Sequence, residues 1–285
     1  MRDERDEYDA GPSAQAPIRV RDLLREAARQ IDRLDAEVLL AHHLKLDRWE
    51  LLRDLDRLVE SPVRYALLVA RRLRHEPVAY ITGEREFWSL PLLVNRATLI
   101  PRPDSETLIS EALAAFPGDP PQRILDIGTG SGALLLAALS EWPDARGVGL
   151  DISFDALAVA MANAMRLGMD YRVELHTSNW VEKAEGRFDL ILCNPPYIED
   201  GTELMPDVAD YEPAGALFGG PDGLDCYRLL LPEVPRLLAP GGVALFEFGL
   251  GQGPALVEMA AGLGMRARLA DDLTGRARAL RIRAD

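Results

Sequence analysis

A chain of 285 residues with 48% hydrophobic content is long enough to bury one large core and a second, smaller one. Its formal net charge of −14 argues against a long nucleic-acid footprint, which relies on many Lys and Arg side chains. No apolar run approaches the roughly 20 residues a bilayer requires. Two cysteines, Cys193 and Cys226, cannot make a disulfide framework, so a reducing cytoplasm is the expected location.

Residues 1–17, MRDERDEYDAGPSAQAP, are charged and then small and polar. They predict a disordered tail, neither an anchor nor a signal peptide. Over residues 18–74 apolar residues recur at helical spacing: Leu34, Val38, Leu39 and Ala41, then Leu51, Leu52, Leu55 and Leu58, then Val63, Leu67, Leu68 and Leu73. That pattern predicts a bundle of about four helices. Residues 18–75 hold 13 Lys or Arg against 10 Asp or Glu, whereas residues 76–285 hold 17 against 31. The charge step near residue 75 predicts a domain boundary.

Residues 76–103 change character. AYITGEREFWSLPLLVNRATLIPRP alternates apolar and polar residues around SLP and ends in Pro-Arg-Pro, which predicts a β-hairpin linker. From residue 104 to 285, strands such as RILDI, ARGVGLD, YRVELHT and FDLILC alternate with helical segments. Alternation of this kind predicts an α/β domain with a doubly wound, mostly parallel sheet. A helix near Tyr227, the strand VALFEFG and a terminal pair, MRARLA and RALRIR, bring the sheet to seven strands, the last pair antiparallel.

LDIGTGSGA, from Leu125 to Ala133, follows a strand and opens a helix, so Gly128, Gly130 and Gly132 let backbone approach a ligand at the helix N-terminus. Asp151 ends the next strand, where an acid can bind ribose hydroxyls. Gly128, Gly130 and Ala133 also satisfy the dinucleotide pattern G-x-G-x-x-A, which keeps a nicotinamide enzyme open as an alternative. Against that reading stand Asp126, unwelcome beside a pyrophosphate, and the tighter G-x-G-x-G alternation.

ILCNPPYIED runs an apolar strand straight into Asn194, Pro195, Pro196 and Tyr197. Two prolines have no N–H and fix φ, so the strand becomes a stiff corner that presents Asn194 and nearby carbonyls as acceptors. A strand-ending turn accounts for N-P-P taken alone. In a parallel sheet, however, ligands gather outside the carboxyl ends of the strands. The glycine loop, Asp151 and the corner all follow strands of one sheet.

Together these motifs resemble the class I S-adenosylmethionine-dependent methyltransferases that carry N-P-P-Y and methylate planar amino groups. The likeness extends through RRLRHEPVAYITGEREFWSLPLLVNRATLIPRPDSETLI, YEPAGALFGGPDGLDCYR and FEFGLGQG to the release-factor glutamine methyltransferases of the HemK or PrmC type. It covers nearly the whole chain apart from the first 17 or so residues. The resemblance implies methyl transfer from S-adenosylmethionine to the side-chain nitrogen (N5) of the glutamine in the Gly-Gly-Gln motif of release factors, with no metal required.

By position it implies that Asn194 Oδ1 and the Pro195 carbonyl accept the two amide N–H groups, while Pro196 and Tyr197 wall the substrate. Gly128, Thr129, Gly130, Ser131 and Gly132 would line the methionine part of the cofactor, Asp151 would take the ribose hydroxyls, and Trp180 would lie beside adenine. Asn179 departs from the acid often found there. The helical domain would recognise the release factor, with neither nucleic acid nor membrane as partner. IPRPDSE is near the cofactor in the family, or is a linker into a helix capped at Asp104. Glu247 in FEFG either serves the pocket or ends a strand, and Cys193 reads as a buried small hydrophobe. Competing readings are a glutamine methyltransferase of a ribosomal protein, an amino-group methyltransferase of nucleic acid, and a non-catalytic cofactor-binding module.

Overall fold

The computed structural model describes residues 16–283, so all but the last two residues of the expected tail lie outside the described residues. The chain divides into two compact units, Met1–Thr82 and Gly83–Asp285.

In the first unit, β1 (Ile18–Arg19) leads into α1 (Val20–Ala27), α2 (Arg33–Leu44), α3 (Arg48–Arg53), β2 (Leu58–Val59), α4 (Pro62–Arg72) and α5 (Val78–Thr82). Asp32 starts α2 by accepting the Leu34 N–H at 2.7 Å, and Asp47 and Glu50 form a reciprocal capping box on α3. The core is built from Val20, Leu24, Leu39, Leu40, Leu51 and Val69 among others, and the Tyr65 hydroxyl ties α4 to the Ala36 carbonyl at 3.0 Å. Buried Glu37 meets Arg33 and Arg48, each at 2.8 Å. Burial raises its carboxyl, but the two guanidinium groups outweigh burial and hold it below the usual range.

Two details differ from the sequence expectation. Helix α5 forms in the segment read as linker, because Tyr80 and Ile81 are buried and both donate to the Pro77 carbonyl at 3.0 Å. Leu34, Leu58, Val63, Leu67 and Leu73 are exposed. Helices this short bury one stripe each, and spacing alone does not say which stripe.

The second unit opens with a hairpin of β3 (Glu84–Phe87) and β4 (Leu90–Leu93). Its turn places Trp88 and Ser89 at φ 52° and 60°, where glycine or asparagine is usual. Glu106 holds the turn by accepting the Trp88 backbone N–H at 2.9 Å, and Glu141 accepts the indole N–H at 2.6 Å.

Then follow α6 (Glu106–Ala115), β5 (Arg123–Ile127), α7 (Ala133–Glu141), β6 (Arg146–Asp151), α8 (Phe154–Arg166), β7 (Val173–Thr177), β8 (Phe188–Cys193), α9 (Pro206–Ala209), α10 (Asp225–Leu230), α11 (Val234–Leu237), β9 (Leu238–Glu247), α12 (Gly253–Gly262), β10 (Arg266–Asp271) and β11 (Ala277–Arg283). A 3-10 turn, Pro103–Ser105, precedes α6, so the helix cap is Ser105 and not Asp104. The predicted helix near Tyr227 is broken into α10 and α11 around a 3-10 turn containing Pro232, as a proline in mid-helix requires.

The seven strands run in the order β10-β11-β9-β8-β5-β6-β7. β7, β6, β5, β8 and β9 are mutually parallel, while β11 lies antiparallel between β9 and β10. This is the α/β, seven-stranded, mostly parallel sheet that the alternation predicted. β5 is flanked by β6 and β8, so the strand order reverses there, and loops after those strands share one crevice. Two buried layers, one containing Leu108, Leu135, Leu139 and Leu192, the other Leu125, Ile191, Tyr227 and Phe246, cover the sheet.

Candidate active site

After β5 the glycine loop is stitched to the end of β6. Gly128 and Thr129 both donate backbone N–H to the Leu150 carbonyl, at 2.8 and 2.9 Å. Gly130 stands at φ 55°, a left-handed backbone that side chains disfavour, and a Cβ there would meet nothing within 4 Å. Backbone is thus laid bare to a ligand. Asp151 accepts the Gly130 N–H through one oxygen and the Ser153 N–H through the other, both at 2.9 Å. A carboxylate has about four acceptor positions, so this one is fixed in place and retains capacity for hydroxyl groups.

Beneath the loop, Asp126 is buried and accepts the Thr129 hydroxyl at 2.7 Å. Burial pushes its carboxyl up to about 7. The Thr129 hydroxyl and a backbone N–H oppose that shift, and Asp151 adds to it. Its second oxygen, Oδ1, is buried with no partner among the described residues. Asn163, fully buried in α8, donates to the Ser131 carbonyl at 2.9 Å and pairs with both backbone groups of Leu93 at 2.7 and 3.0 Å. The hairpin and the glycine loop are thereby held together.

At the other wall, β8 ends in the corner. Asn194 donates Nδ2–H to Ser105 Oγ at 3.1 Å, which fixes its amide with Oδ1 as the remaining acceptor. Among the described residues no group donates to Asn194 Oδ1 or to the Pro195 carbonyl. Behind the corner, Gln252 donates to the Tyr197 carbonyl at 2.9 Å, and the GGPDG segment packs backbone against backbone. A Cβ at Gly219 would stand 2.5 Å from the Pro196 carbonyl oxygen, and one at Gly223 would collide with the Tyr197 carbonyl.

A cavity of about 500 Å³ joins the two walls, a size typical of small-molecule sites. Gly128, Thr129, Gly130, Ser131, Asp151 and Trp180 line it on one side, and Asn194, Pro195 and Pro196 on the other. Trp180 stands at φ 50°, a strain of roughly 1–3 kcal/mol for a non-glycine residue, and Asn179 beside it donates to Glu182 at 2.9 Å. Gly132 does not line the cavity; it starts α7 against Leu136 and Ala160.

Tyr197, expected to wall the substrate, does not line the cavity either. Its hydroxyl donates to buried Glu247 at 3.2 Å, so the ring is drawn to the back of the corner. Cys193 is fully buried, and burial pushes its thiol up, as a small hydrophobe requires. The sequence reading missed Asn163, Ser105, Gln252 and Glu212. Buried Glu212 accepts from the Ile100 N–H at 3.0 Å and pairs with Arg102 at 2.5 Å. A charged residue inside YEP was the available signal.

Residues 15–83 match the PrmC N-terminal domain family and residues 105–210 the methyltransferase small domain family. The release factor glutamine methyltransferase of Rhodospirillum rubrum is 46% identical over 233 residues, covering 80% of this chain and 71% of its own length. The chain belongs to the release factor glutamine methyltransferase family. The namesake from Cereibacter sphaeroides is 42% identical over 263 residues, covering 90% of this chain and 91% of its own.

A solved methyltransferase from Pyrococcus furiosus, 19% identical, superposes with a TM-score of 0.50 over 78% of this chain and 98% of that one, a likeness of fold. Membership in the release factor glutamine methyltransferases makes the chain a methyltransferase and removes the nicotinamide reading. No helix among the described residues is long and apolar enough to cross a membrane.

Proposed function

We propose that this protein binds S-adenosylmethionine and transfers its methyl group to the side-chain amide nitrogen of the glutamine in the Gly-Gly-Gln motif of translation release factors. The observation that carries the reading is the fixed Asn194 amide. With Nδ2 committed to Ser105, its Oδ1 and the neighbouring Pro195 carbonyl form an acceptor pair across one cavity from the glycine loop and Asp151.

The residues present fit the cofactor. The bare backbone at Gly128 and Gly130 leaves room for a chain to lie close, the unpartnered Asp126 Oδ1 suits an ammonium group, and Asp151 suits vicinal hydroxyls. When bound, S-adenosylmethionine supplies an electrophilic sulfonium methyl.

An amide nitrogen is a poor nucleophile because its lone pair is delocalised into the carbonyl. Asn194 Oδ1 and the Pro195 carbonyl would each accept one N–H of the substrate amide, holding the nitrogen in line and favouring the positive charge that develops on it. On taking up the methyl group, the amide nitrogen would release to solvent one of the two protons that Asn194 Oδ1 and the Pro195 carbonyl hold. Pro195 and Pro196 keep the acceptors from drifting, and no strong base is needed.

The test is mass spectrometry of a release factor incubated with the enzyme and S-adenosylmethionine. The expected result is a gain of one CH2 on that glutamine, abolished by its replacement with alanine. Preferential labelling of a ribosomal protein, DNA or ribosomal RNA would assign the chain a different substrate.

A further inference from the structure

The last two strands carry a cluster of arginines, none of which lines the cavity. In the register of β10 and β11, Arg266 lies opposite Arg283 and Arg268 opposite Arg281. Alternate residues of a strand share a face, so these four stand on one side of the hairpin, while Ala267, Leu269, Leu280 and Ile282 pack into the core on the other. Glu111 of α6 bridges two of them, meeting Arg268 at 3.0 Å and Arg281 at 3.4 Å. Arg283 donates to the Ala115 carbonyl at the end of the same helix, at 3.4 Å. Four guanidinium groups thus gather on one face of a chain whose net charge is −14.

Like charges directly opposite one another destabilise a strand pair, and here the arrangement occurs twice in succession. Burial holds the Arg281 guanidinium below its ordinary value, Arg268 and Arg283 push it the same way, and Glu111 opposes them. Blunting a sheet edge does not account for this. Charges on an edge strand deter unwanted pairing, and Arg266 and Arg268 on β10 achieve that by themselves. Arg281 and Arg283 stand one strand further in, and the Arg281 side chain is only 5% exposed. β10 is the end strand of the sheet, and among the described residues no strand pairs with its outer side.

We propose that the outer edge of β10 is a docking site for an extended protein segment that carries acidic side chains at alternate positions. Such a segment adds one strand beyond β10, its main chain pairing with the outer N–H and C=O groups and its acids lying beside Arg266 and Arg268 on the arginine face. Alternate residues recur at about 6.8 Å in both strands, so two acids match two arginines. Arg281 and Arg283 lie behind them and strengthen the positive field without touching the segment. Asp271 closes β10 and repels an acid at that end, so the acids belong at the other. A phosphate chain would meet the same arginines but has no main-chain N–H to pair with a strand edge, and the acidic remainder of the surface repels it.

The experiment titrates the full-length protein with two fluorescent hexapeptides of one composition, glutamates among threonines and valines, the glutamates at alternate positions in one and adjacent in the other. Anisotropy is read at low and high salt, and amide hydrogen exchange is followed in parallel. The alternating peptide should bind with a Kd below about 1 mM, weaken as salt rises, and slow the exchange of β10 amides while β7, at the opposite edge, is unaffected. The adjacent-glutamate peptide splits its charges between two faces and should bind about tenfold more weakly, as should the alternating peptide on the double variant Arg266→Gln, Arg268→Gln.

No binding, equal binding of the two peptides, or unchanged exchange at β10 overturns the inference. Tighter binding of a single-stranded oligonucleotide than of the alternating peptide overturns it in favour of a phosphate site. Binding that emerges only when residues 284–285 are deleted overturns it too, and assigns the arginines to the chain's own end. If the double variant does not fold, the two peptides and the exchange pattern of the wild type decide.

Discussion

Arg102 and Glu212 lie 110 residues apart in the sequence and form an ion pair at 2.5 Å beside the cavity. The same carboxylate accepts the Ile100 N–H at 3.0 Å. Arg102 and Pro213, the residue after Glu212, both line the cavity, so one buried carboxylate joins two segments of its wall. Glu212→Ala strands a buried N–H, a loss of about 1–3 kcal/mol. The melting temperature should drop by roughly 2–4 °C for each kcal/mol, and KM for the release factor should rise. Thermal denaturation and steady-state kinetics check both, and an unchanged melting curve would show that the wall is held by other contacts.

Asp126 makes cofactor binding depend on pH. Its folded carboxyl, pushed up to about 7 by burial, is protonated below that pH, whereas a cofactor ammonium requires it ionised. Affinity should therefore rise as pH increases through about 7 and fall by up to tenfold per unit below it. Calorimetry with S-adenosylhomocysteine, which keeps the ammonium, measures this, and Asp126→Asn should flatten the profile at a weaker plateau. The same raised pKa places its contribution to the stability of the free protein on the acid side, to be lost as pH rises through about 7.

Asn194→Ala removes one acceptor of the corner and should reduce kcat on the order of 10²- to 10³-fold with the fold retained. Asn194→Asp keeps both the size and an acceptor oxygen, yet it replaces the N–H that Ser105 accepts at 3.1 Å. It should be as damaging as the alanine variant. A near-wild-type rate in Asn194→Asp would mean the Nδ2–H has no role.

The chemistry-bearing motifs were legible because each is local and sits at a strand end. Gly128 to Gly132, Asp151 and Asn194 follow β5, β6 and β8, and a doubly wound sheet brings those ends together whatever the loops do. What supports them is not local. The bonds from Asn194 to Ser105, Asn163 to Leu93 and Ile100 to Glu212 span 89, 70 and 112 residues, and each partner has an ordinary local reading as a turn serine, a helix asparagine or a surface acid. Tyr197 lies off the cavity lining for the same kind of reason, since its hydroxyl donates to Glu247 fifty residues on. In the helical unit, periodicity named apolar residues but could not separate Leu39 and Leu51, buried, from Leu34 and Leu67, exposed.

Those exposed residues bear on how the substrate is held. On α4, Val63 and Leu67 are 51% and 61% exposed and lie one turn apart on the same face; Leu58, just before the helix, is exposed as well. Apolar residues left together at a surface suit a protein partner, and residues 18–75 carry a slight positive balance, 13 Lys or Arg against 10 Asp or Glu, unlike the rest of the chain. We propose that this face grips the release factor while the second unit does the chemistry. Replacing Val63 and Leu67 together by glutamate keeps helix propensity, since glutamate is a good helix former, and removes no core contact. KM for intact release factor should then rise by about tenfold or more, the loss of roughly 1.4 kcal/mol of binding, while kcat and cofactor affinity stay unchanged. Kinetics with the release factor as the varied substrate decide the matter, and an unaltered KM would assign this face of α4 to something other than the substrate.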